Sequence, residues 1–169
     1  MNDTDRLIVT EIPRLRRYAR ALTGDRTAAD DLVQDCLERA WSRFHLWRRG
    51  SNLRAWLFTI LHNIHANDAR RRMRRPVVVP LTDASVVAVV PPSQDAGIEV
   101  ANLEAALSQL SDDQRAAVLL VGLEELSYRE AAATLGIPVG TLMSRLHRGR
   151  ERLRGLMSGA ADETLKRVK

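Results

Sequence analysis

Residues 127 to 154 combine a helix start, a tight turn and a cluster of arginines. Ser127 and Glu130 have the S-x-x-E spacing of a capping box, which predicts that a helix begins there. Gly136 predicts the end of that helix, and Pro138 suits the first turn of the next one. Arginine donates paired hydrogen bonds to phosphates and to guanine edges, so the arginine-rich second helix has the chemistry needed to bind DNA.

The second helix of this pair has two distinct faces. Leu142, Leu146 and Leu153 fall within a narrow arc of a helical wheel and predict a packed face. The opposite face is polar and carries Gly140, Thr141, Ser144, His147, Arg148 and Glu151. This arrangement predicts a helix-turn-helix whose second helix enters the major groove, with Arg145 and Arg148 as the strongest candidates for contacts. A plain helical hairpin with a solvated basic face is the alternative.

An acidic surface is predicted in the otherwise basic first half. The segment DRTAADDLVQDCLERAW reads as a helix whose outer face gathers Asp30, Asp31, Gln34, Asp35 and Glu38. A solubilising surface would look the same. The neighbouring helix is basic, however, so the contrast indicates two partners of opposite charge.

The loop HLWRRGSN, residues 45–52, is a second candidate site in the first half. It sets Trp47 beside Arg48 and Arg49, which offers unstacked bases an aromatic face and a phosphate clamp. An anchor in the protein core is an equal alternative for Trp47. The helix that follows is predicted to expose a mixed polar face, with Arg54, Phe58, Thr59, His62, Asn63, Asn67 and Arg70. Its two histidines have no acid or thiol at ligand spacing, so no metal site is expected.

The elements that must position these residues are all helical. Apolar periodicity predicts helices over residues 5–22, from a cap at Thr27 to about Phe44 with Trp41 inward, and over 53–74. Two more are predicted over 99–110 and 112–125, before the helical pair. Residues 76–98 contain four prolines and favour a flexible linker, although a strand pair is an alternative. The fold class is therefore all-α, with two small helical domains joined by a linker.

Composition narrows the function further. The net charge is +5, and residues 1–75 carry 16 arginines against nine acids, whereas residues 76–100 carry no basic residue. The single cysteine, Cys36, excludes an internal disulfide and is predicted to be buried.

No apolar run reaches the ~18–20 residues that span a bilayer, and no signal peptide is evident, so a cytoplasmic protein is expected. No phosphate loop or nucleophile–base pair is present, so we expect neither an enzyme nor a cofactor.

Three segments in order carry a family resemblance: DDLVQDCLERAW, RAWLFTILHNIHANDARRR, and LSDDQRAAVLLVGLEELSYREAAATLGIPVGTLMSRLHRGRERLR. Together they resemble a minimal bacterial sigma factor of the extracytoplasmic-function group. The resemblance implies a region 2 domain over residues 1–75, a linker over 76–98 that threads the polymerase channel, and a region 4 helix-turn-helix over 99–160. It also implies control by an anti-sigma factor.

The resemblance also implies residue roles. Region 2 would dock on the β′ clamp of core RNA polymerase and capture the −10 element as single strand. Region 4 would sit on the β flap and read the −35 element. The matching docking positions are Asp31, Gln34 and Asp35. The resemblance places the −10 base between residues 45–52 and Asn63; together with the polar side and the end of the third helix, the predicted −10 positions are Trp47, Arg48, Arg49, Asn63, Asn67, Arg70 and Arg71. The −35 positions that match the family are Thr141, Met143, Ser144, Arg145, His147 and Arg148.

Three positions depart from the family pattern. Met143 stands where Arg or Lys is common, so one −35 contact is expected to be apolar or absent. Cys36 and His147 replace the commoner Thr and aromatic residues.

The competing function is an autonomous, dimeric helix-turn-helix repressor, which would bind a palindrome tightly without polymerase. A sigma factor would instead bind DNA weakly and with strong salt dependence when free.

Overall fold

The computed structural model describes the backbone of residues 3–74 and 94–167 and the side chains of residues 5–74 and 97–159. Within these ranges the protein is helical, without strands, and the predicted all-α fold is confirmed. The helices are α1 Asp3–Thr23, α2 Arg26–Arg43, α3 Leu53–Arg74, α4 Gln94–Ser108, α5 Asp112–Val118, α6 Tyr128–Leu135 and α7 Val139–Arg167. A 3₁₀ turn, Phe44–Leu46, follows α2, and a π-helical turn, Leu119–Leu123, follows α5.

Helices α1, α2 and α3 form the first helical unit. Their buried faces meet around Tyr18, whose ring contacts that of Phe58 edge to face with centroids 4.9 Å apart. The placement of Phe58 on the outer face of α3 was wrong, because this side chain is fully buried. Leu57 and Phe58 are adjacent in the sequence and both are buried, so the apolar stripe of α3 is wider than its sequence pattern indicates.

Two further predictions in the first unit were wrong. Asp25, rather than Thr27, caps α2: its carboxylate accepts the backbone N–H of Ala28 at 2.6 Å. Gly24 makes this possible because its φ of +69° ends α1 in the left-handed region and turns the chain into the cap. Trp41 is 42% exposed and lies at the surface, where its indole N–H donates to Asp5 at 3.1 Å.

Helices α4 to α7 form the second unit. Helix α4 begins at Gln94, five residues before the predicted start and within the predicted linker; residues 75–93 of that linker lie outside the described part of the chain. The segment predicted as one helix over 112–125 is α-helical only as far as Val118, and the π-helical turn follows it. Helix α7 packs closely on α5, since a Cβ at Gly149 would lie 2.7 Å from Val118 Cγ2.

The two units share one hydrophobic core. Helix α3 packs on α6, and α1 packs on the π-helical turn and on α5, so buried residues from both halves form one continuous cluster. The functional surfaces of the two units are therefore held at a fixed distance from each other in this structure.

Candidate nucleic-acid and polymerase interface

The helix-turn-helix is built as its sequence predicts. The Ser127 hydroxyl accepts the Glu130 N–H, and the Glu130 carboxylate accepts the Ser127 N–H at 3.0 Å, which completes the capping box. Gly136 ends α6 with a φ of +65°, a conformation that suits glycine. Leu142 and Leu146 of α7 are buried, and they fix the orientation of this helix on the rest of the unit. The outer face of α7 is thereby turned away from the core.

The predicted −35 positions on α7 fall into two groups. Met143, Ser144, His147 and Arg148 are exposed, whereas Thr141 is partly buried. Arg145 differs from the exposed group, because its side chain is 29% exposed and its guanidinium forms an ion pair with the Asp113 carboxylate of α5 at 3.0 Å. Arg148 is therefore the better placed of the two arginines for a contact with a major groove.

The predicted polymerase-docking residues lie together on one side of α2. Asp31, Gln34 and Asp35 are all exposed, and the Gln34 amide donates to Glu38 at 3.3 Å. Asp31 and Asp35 also line a shallow cleft of about 180 Å³ between α2 and the C-terminal half of α3. The acidic surface that the sequence predicts is present and accessible to a basic partner.

The predicted −10 positions lie along the loop before α3 and on its exposed side. Trp47 is only partly buried and packs against Phe44, with ring centroids 5.2 Å apart, as the core-anchor alternative expects. The other predicted −10 residues are all exposed: Arg48, Arg49, Asn63, Asn67, Arg70 and Arg71. These side chains offer cationic and amide groups to a nucleic acid strand.

Contacts between the two units involve residues that the sequence did not single out. Glu124, directly after the π-helical turn, is fully buried and pairs with Arg17 at 2.8 Å and with Arg14 at 3.6 Å. Arg115 of α5 donates to the Leu22 carbonyl at the end of α1 at 3.0 Å. The ion pairs join residues more than 100 positions apart, and no local pattern could have revealed them.

The loop before α3 also contacts the second unit. The Asn52 amide donates to the Glu130 carboxylate at 2.7 Å, while its own oxygen accepts the Ala55 N–H at the start of α3. This hydrogen bond from Asn52, followed by those from Ser127, lowers the pKa of Glu130. One carboxylate thus completes the capping box of α6 and joins the two units.

Two histidines of α3 lie where the units meet. Burial lowers the pKa of His62, and the charges of His65, Arg145 and Arg70 lower it further, against an opposing effect of Asp113. Burial also lowers the pKa of His65, with Asp112, Asp68, Arg72 and Arg115 nearby. Both rings are therefore neutral at physiological pH, at a point between the predicted −10 helix and the helix-turn-helix.

Comparison with known proteins assigns both units. The family model described as the Sigma2 domain of PhyR matches residues 8–62, and the model Sigma-70, region 4 matches residues 101–153. The chain therefore contains a sigma region 2 domain followed by a sigma-70 region 4 domain.

Proteins that align with most of this chain are sigma factors. The chain is 43% identical to the ECF RNA polymerase sigma factor EcfG of Rhodopseudomonas palustris, over 92% of this chain and 86% of that one. It is also similar to the sigma factor RpoE of Bartonella quintana solved with the anti-sigma factor NepR, with a TM-score of 0.80, 36% identity and coverage of 94% and 98%. A third likeness is CnrH solved with the cytosolic domain of CnrY, with a TM-score of 0.66, 27% identity and coverage of 92% and 88%.

This chain belongs to the extracytoplasmic-function sigma factors. Members of this family are initiation factors and not enzymes, and the alternative of an autonomous repressor is not favoured. Within the described residues, no helix combines the length and the apolar character that crossing a bilayer requires.

Proposed function

We propose that this protein is a cytoplasmic sigma factor that brings core RNA polymerase to specific promoters in a stress response and is held inactive by an anti-sigma factor. The observation that carries the proposal is the order of the two units: an exposed acidic α2 and basic α3 in the first, and a helix-turn-helix with an exposed outer face in the second. The similar RpoE, whose solved structure contains the anti-sigma factor NepR, supports the proposed regulation.

Each surface has a proposed partner. Asp31, Gln34 and Asp35 bind the β′ clamp, because exposed acids on one face of α2 complement a basic partner. The −10 strand is bound by the loop and the exposed side of α3, through Trp47, Arg48, Arg49, Asn63, Asn67, Arg70 and Arg71. The −35 duplex and the β flap engage the second unit, with DNA contacts from Thr141, Met143, Ser144, Arg145, His147 and Arg148.

Binding energy must drive promoter opening, since the sequence contains no nucleotide-binding loop. Extruding a base costs a few kcal/mol, and stacking on an aromatic ring returns about 1–3 kcal/mol per base. Polymerase contacts must supply the rest. The free protein is therefore expected to bind DNA weakly and with strong salt dependence.

Run-off transcription with bacterial core polymerase tests the proposal. Wild type should direct initiation at its promoters, and the Gln34→Ala/Asp35→Ala pair should weaken assembly with core enzyme. A matched control, Glu99→Ala/Glu104→Ala, removes two exposed acids of α4 and should leave assembly unchanged.

Arg148→Ala should reduce promoter use with core assembly intact, because one contact to duplex DNA is lost. Arg152→Ala, an exposed arginine one turn further along α7, is its control. If wild type programmes core polymerase to no promoter, the proposed function is wrong.

A further inference from the structure

Glu124 is the most deeply buried charge among the described side chains, and it lies between the two units. Its side chain is 0% exposed, while those of its partners Arg14 and Arg17 are 38% and 51% exposed. Arg17 also donates to the Leu123 carbonyl at 3.2 Å, so it binds both the carboxylate and the backbone beside it. Removing one partner of a buried ion pair leaves the other charge without compensation, which is strongly unfavourable.

The environment of Glu124 depends on closure of the two units. The Tyr18 hydroxyl of α1 and the Glu124 Oε2 are both buried and have no hydrogen-bond partner among the described residues. Burial, and secondarily the charge of Glu124, raises the pKa of Tyr18. If the units separated, water would reach the carboxylate and the phenol, whereas the two arginine side chains are already partly exposed. The Arg14–Glu124–Arg17 pairing therefore matters more for the closed state than an ion pair at the protein surface would.

The closed state covers part of the proposed DNA-binding surface. Helix α6 packs on α3, where Thr134 and Thr59 approach each other at 3.4 Å. Asn52, in the loop proposed to hold the −10 strand, is bound to Glu130. Arg145, a proposed −35 contact, is paired with Asp113 beside His62 of α3. The contact between the units thus involves residues that adjoin both proposed DNA-binding surfaces, while most of the proposed contact residues remain exposed.

The spacing of the promoter elements makes this closure incompatible with full promoter binding. Elements centred near −10 and −35 lie roughly 25 base pairs apart, which is roughly 85 Å of duplex at 3.4 Å per base pair. Units that share a core cannot contact both elements at once. The closed state must open before the protein can work as a sigma factor.

We propose that Glu124, through its pairing with Arg14 and Arg17, is an intramolecular latch that holds the two units closed and so keeps them from engaging polymerase and both promoter elements together. This inference rests on the proposed function for its consequence, but the latch itself is a property of the free chain. A protein that is closed most of the time binds its partner with an affinity reduced by its open fraction.

Small-angle X-ray scattering of the full-length chain tests the latch without any partner. Glu124→Gln removes the charge at nearly constant volume, and Glu124→Lys places a third cation beside two arginines. The radius of gyration should rise above that of wild type for Glu124→Gln and rise further for Glu124→Lys. Glu125→Gln is the matched control, because this neighbouring glutamate is exposed, and it should match wild type.

A variant with exchanged charges distinguishes opening of the two units from unfolding of the chain. The variant Arg17→Glu/Glu124→Arg should return the radius of gyration toward the wild-type value, and circular dichroism should show unchanged helix content in every variant. Binding to bacterial core RNA polymerase should tighten about threefold or more for Glu124→Gln, since less of the chain is closed.

Two results would overturn the latch: a wild-type chain that is already extended in solution, or a Glu124→Lys variant as compact as wild type with native helix content. Failure of the proposed function looks different. In that case scattering would still show the latch, while no variant would bind core polymerase.

Discussion

Cys36 shows how burial removes the chemistry of a reactive residue. Its side chain is fully buried and its sulfur lies 3.5 Å from the Leu57 carbonyl. Burial raises the pKa of the Cys36 thiol to about 12, so the thiol stays protonated at pH 8 in the folded protein. The sequence-based expectation of a buried cysteine is confirmed.

We expect Cys36 to resist a thiol reagent such as dithionitrobenzoate in the folded protein at pH 8. One equivalent should react rapidly in denaturing urea, which exposes the thiol. The release of the coloured thiolate measures both rates. Rapid reaction of the native protein would contradict the buried placement.

Glu125 stores backbone strain beside the latch. It is the one described residue other than glycine with a positive φ, at +55°, and its side chain is exposed. Such a conformation costs about 1–3 kcal/mol for a residue with a Cβ, whereas glycine adopts it freely at an entropic cost of about 0.5–1 kcal/mol. We expect Glu125→Gly to raise the free energy of unfolding by about 1 kcal/mol, measured by urea denaturation.

Glu125→Ala is the control for this prediction. It removes the same side chain but keeps the Cβ, so the strain remains and no comparable gain should follow. Equal stabilisation by alanine and glycine would show that the carboxylate, and not the backbone, is the source of the effect.

At the scale of helices, the close packing of α5 and α7 depends on Gly149. A Cβ at this position would lie 2.7 Å from Val118 Cγ2, and the Gln114 carbonyl is 3.4 Å away. We expect Gly149→Ala to lower the free energy of unfolding by about 1–3 kcal/mol, the usual cost of overpacking. Thermal or urea denaturation of the full chain measures it.

Two variants check the cause. Gly155→Ala lies in the same helix with open space around its Cα and should be neutral or stabilising by up to about 1 kcal/mol. Adding Val118→Ala to Gly149→Ala should recover part of the loss, because it removes the clashing methyl group. A Gly149→Ala variant as stable as wild type would contradict the close approach.

Helix positions were largely predictable because their signals are local. The bounds of α3, the capping box of Ser127 and Glu130 and the stop at Gly136 all follow from residues within a few positions of each other. Side-chain burial was less predictable. Trp41 and Phe58 were each assigned to the wrong face, since a helical wheel shows which residues share a side but not how far the neighbouring helices extend over it.

The arrangement of the whole molecule was not predictable from the sequence. The acidic and basic surfaces could be assigned to their helices, because each is carried by one segment. The pairing of Glu124 with Arg17 joins positions 107 residues apart, and only the packed tertiary structure brings them together. The prediction of two helical units is confirmed, but nothing in their separate patterns indicated that they would share a core.

At the scale of the whole molecule, the two partly buried histidines between the units predict a response of stability to pH. His62 and His65 have a lowered pKa in the folded protein, so below about pH 6.5 the unfolded chain binds more protons than the folded one. Stability should therefore be full near pH 7.5 and fall as the pH drops through 6.5 toward the lowered values. Arg70, Arg72, Arg115 and Arg145 oppose protonation, whereas Asp68, Asp112 and Asp113 favour it.

Thermal unfolding at pH 7.5 and pH 5.5 measures this response. The melting temperature of the wild type should fall at the lower pH, and that of the His62→Gln/His65→Gln variant should fall less. His45→Gln/His147→Gln replaces two exposed histidines and should keep the wild-type response. An equal fall in all three proteins would assign the effect to carboxylates instead.

The π-helical turn places a constraint on chain length that is stricter than any constraint on residue type. The Glu124 N–H bonds to the Leu119 carbonyl, five positions back, and so the turn holds one residue more than an α-helix would. Each residue advances a helix by about 100°, so deleting Gly122 would rotate Glu124 away from α1 without changing any side chain. Natural variants of this segment should therefore tolerate exchanges of residues more readily than gains or losses of one.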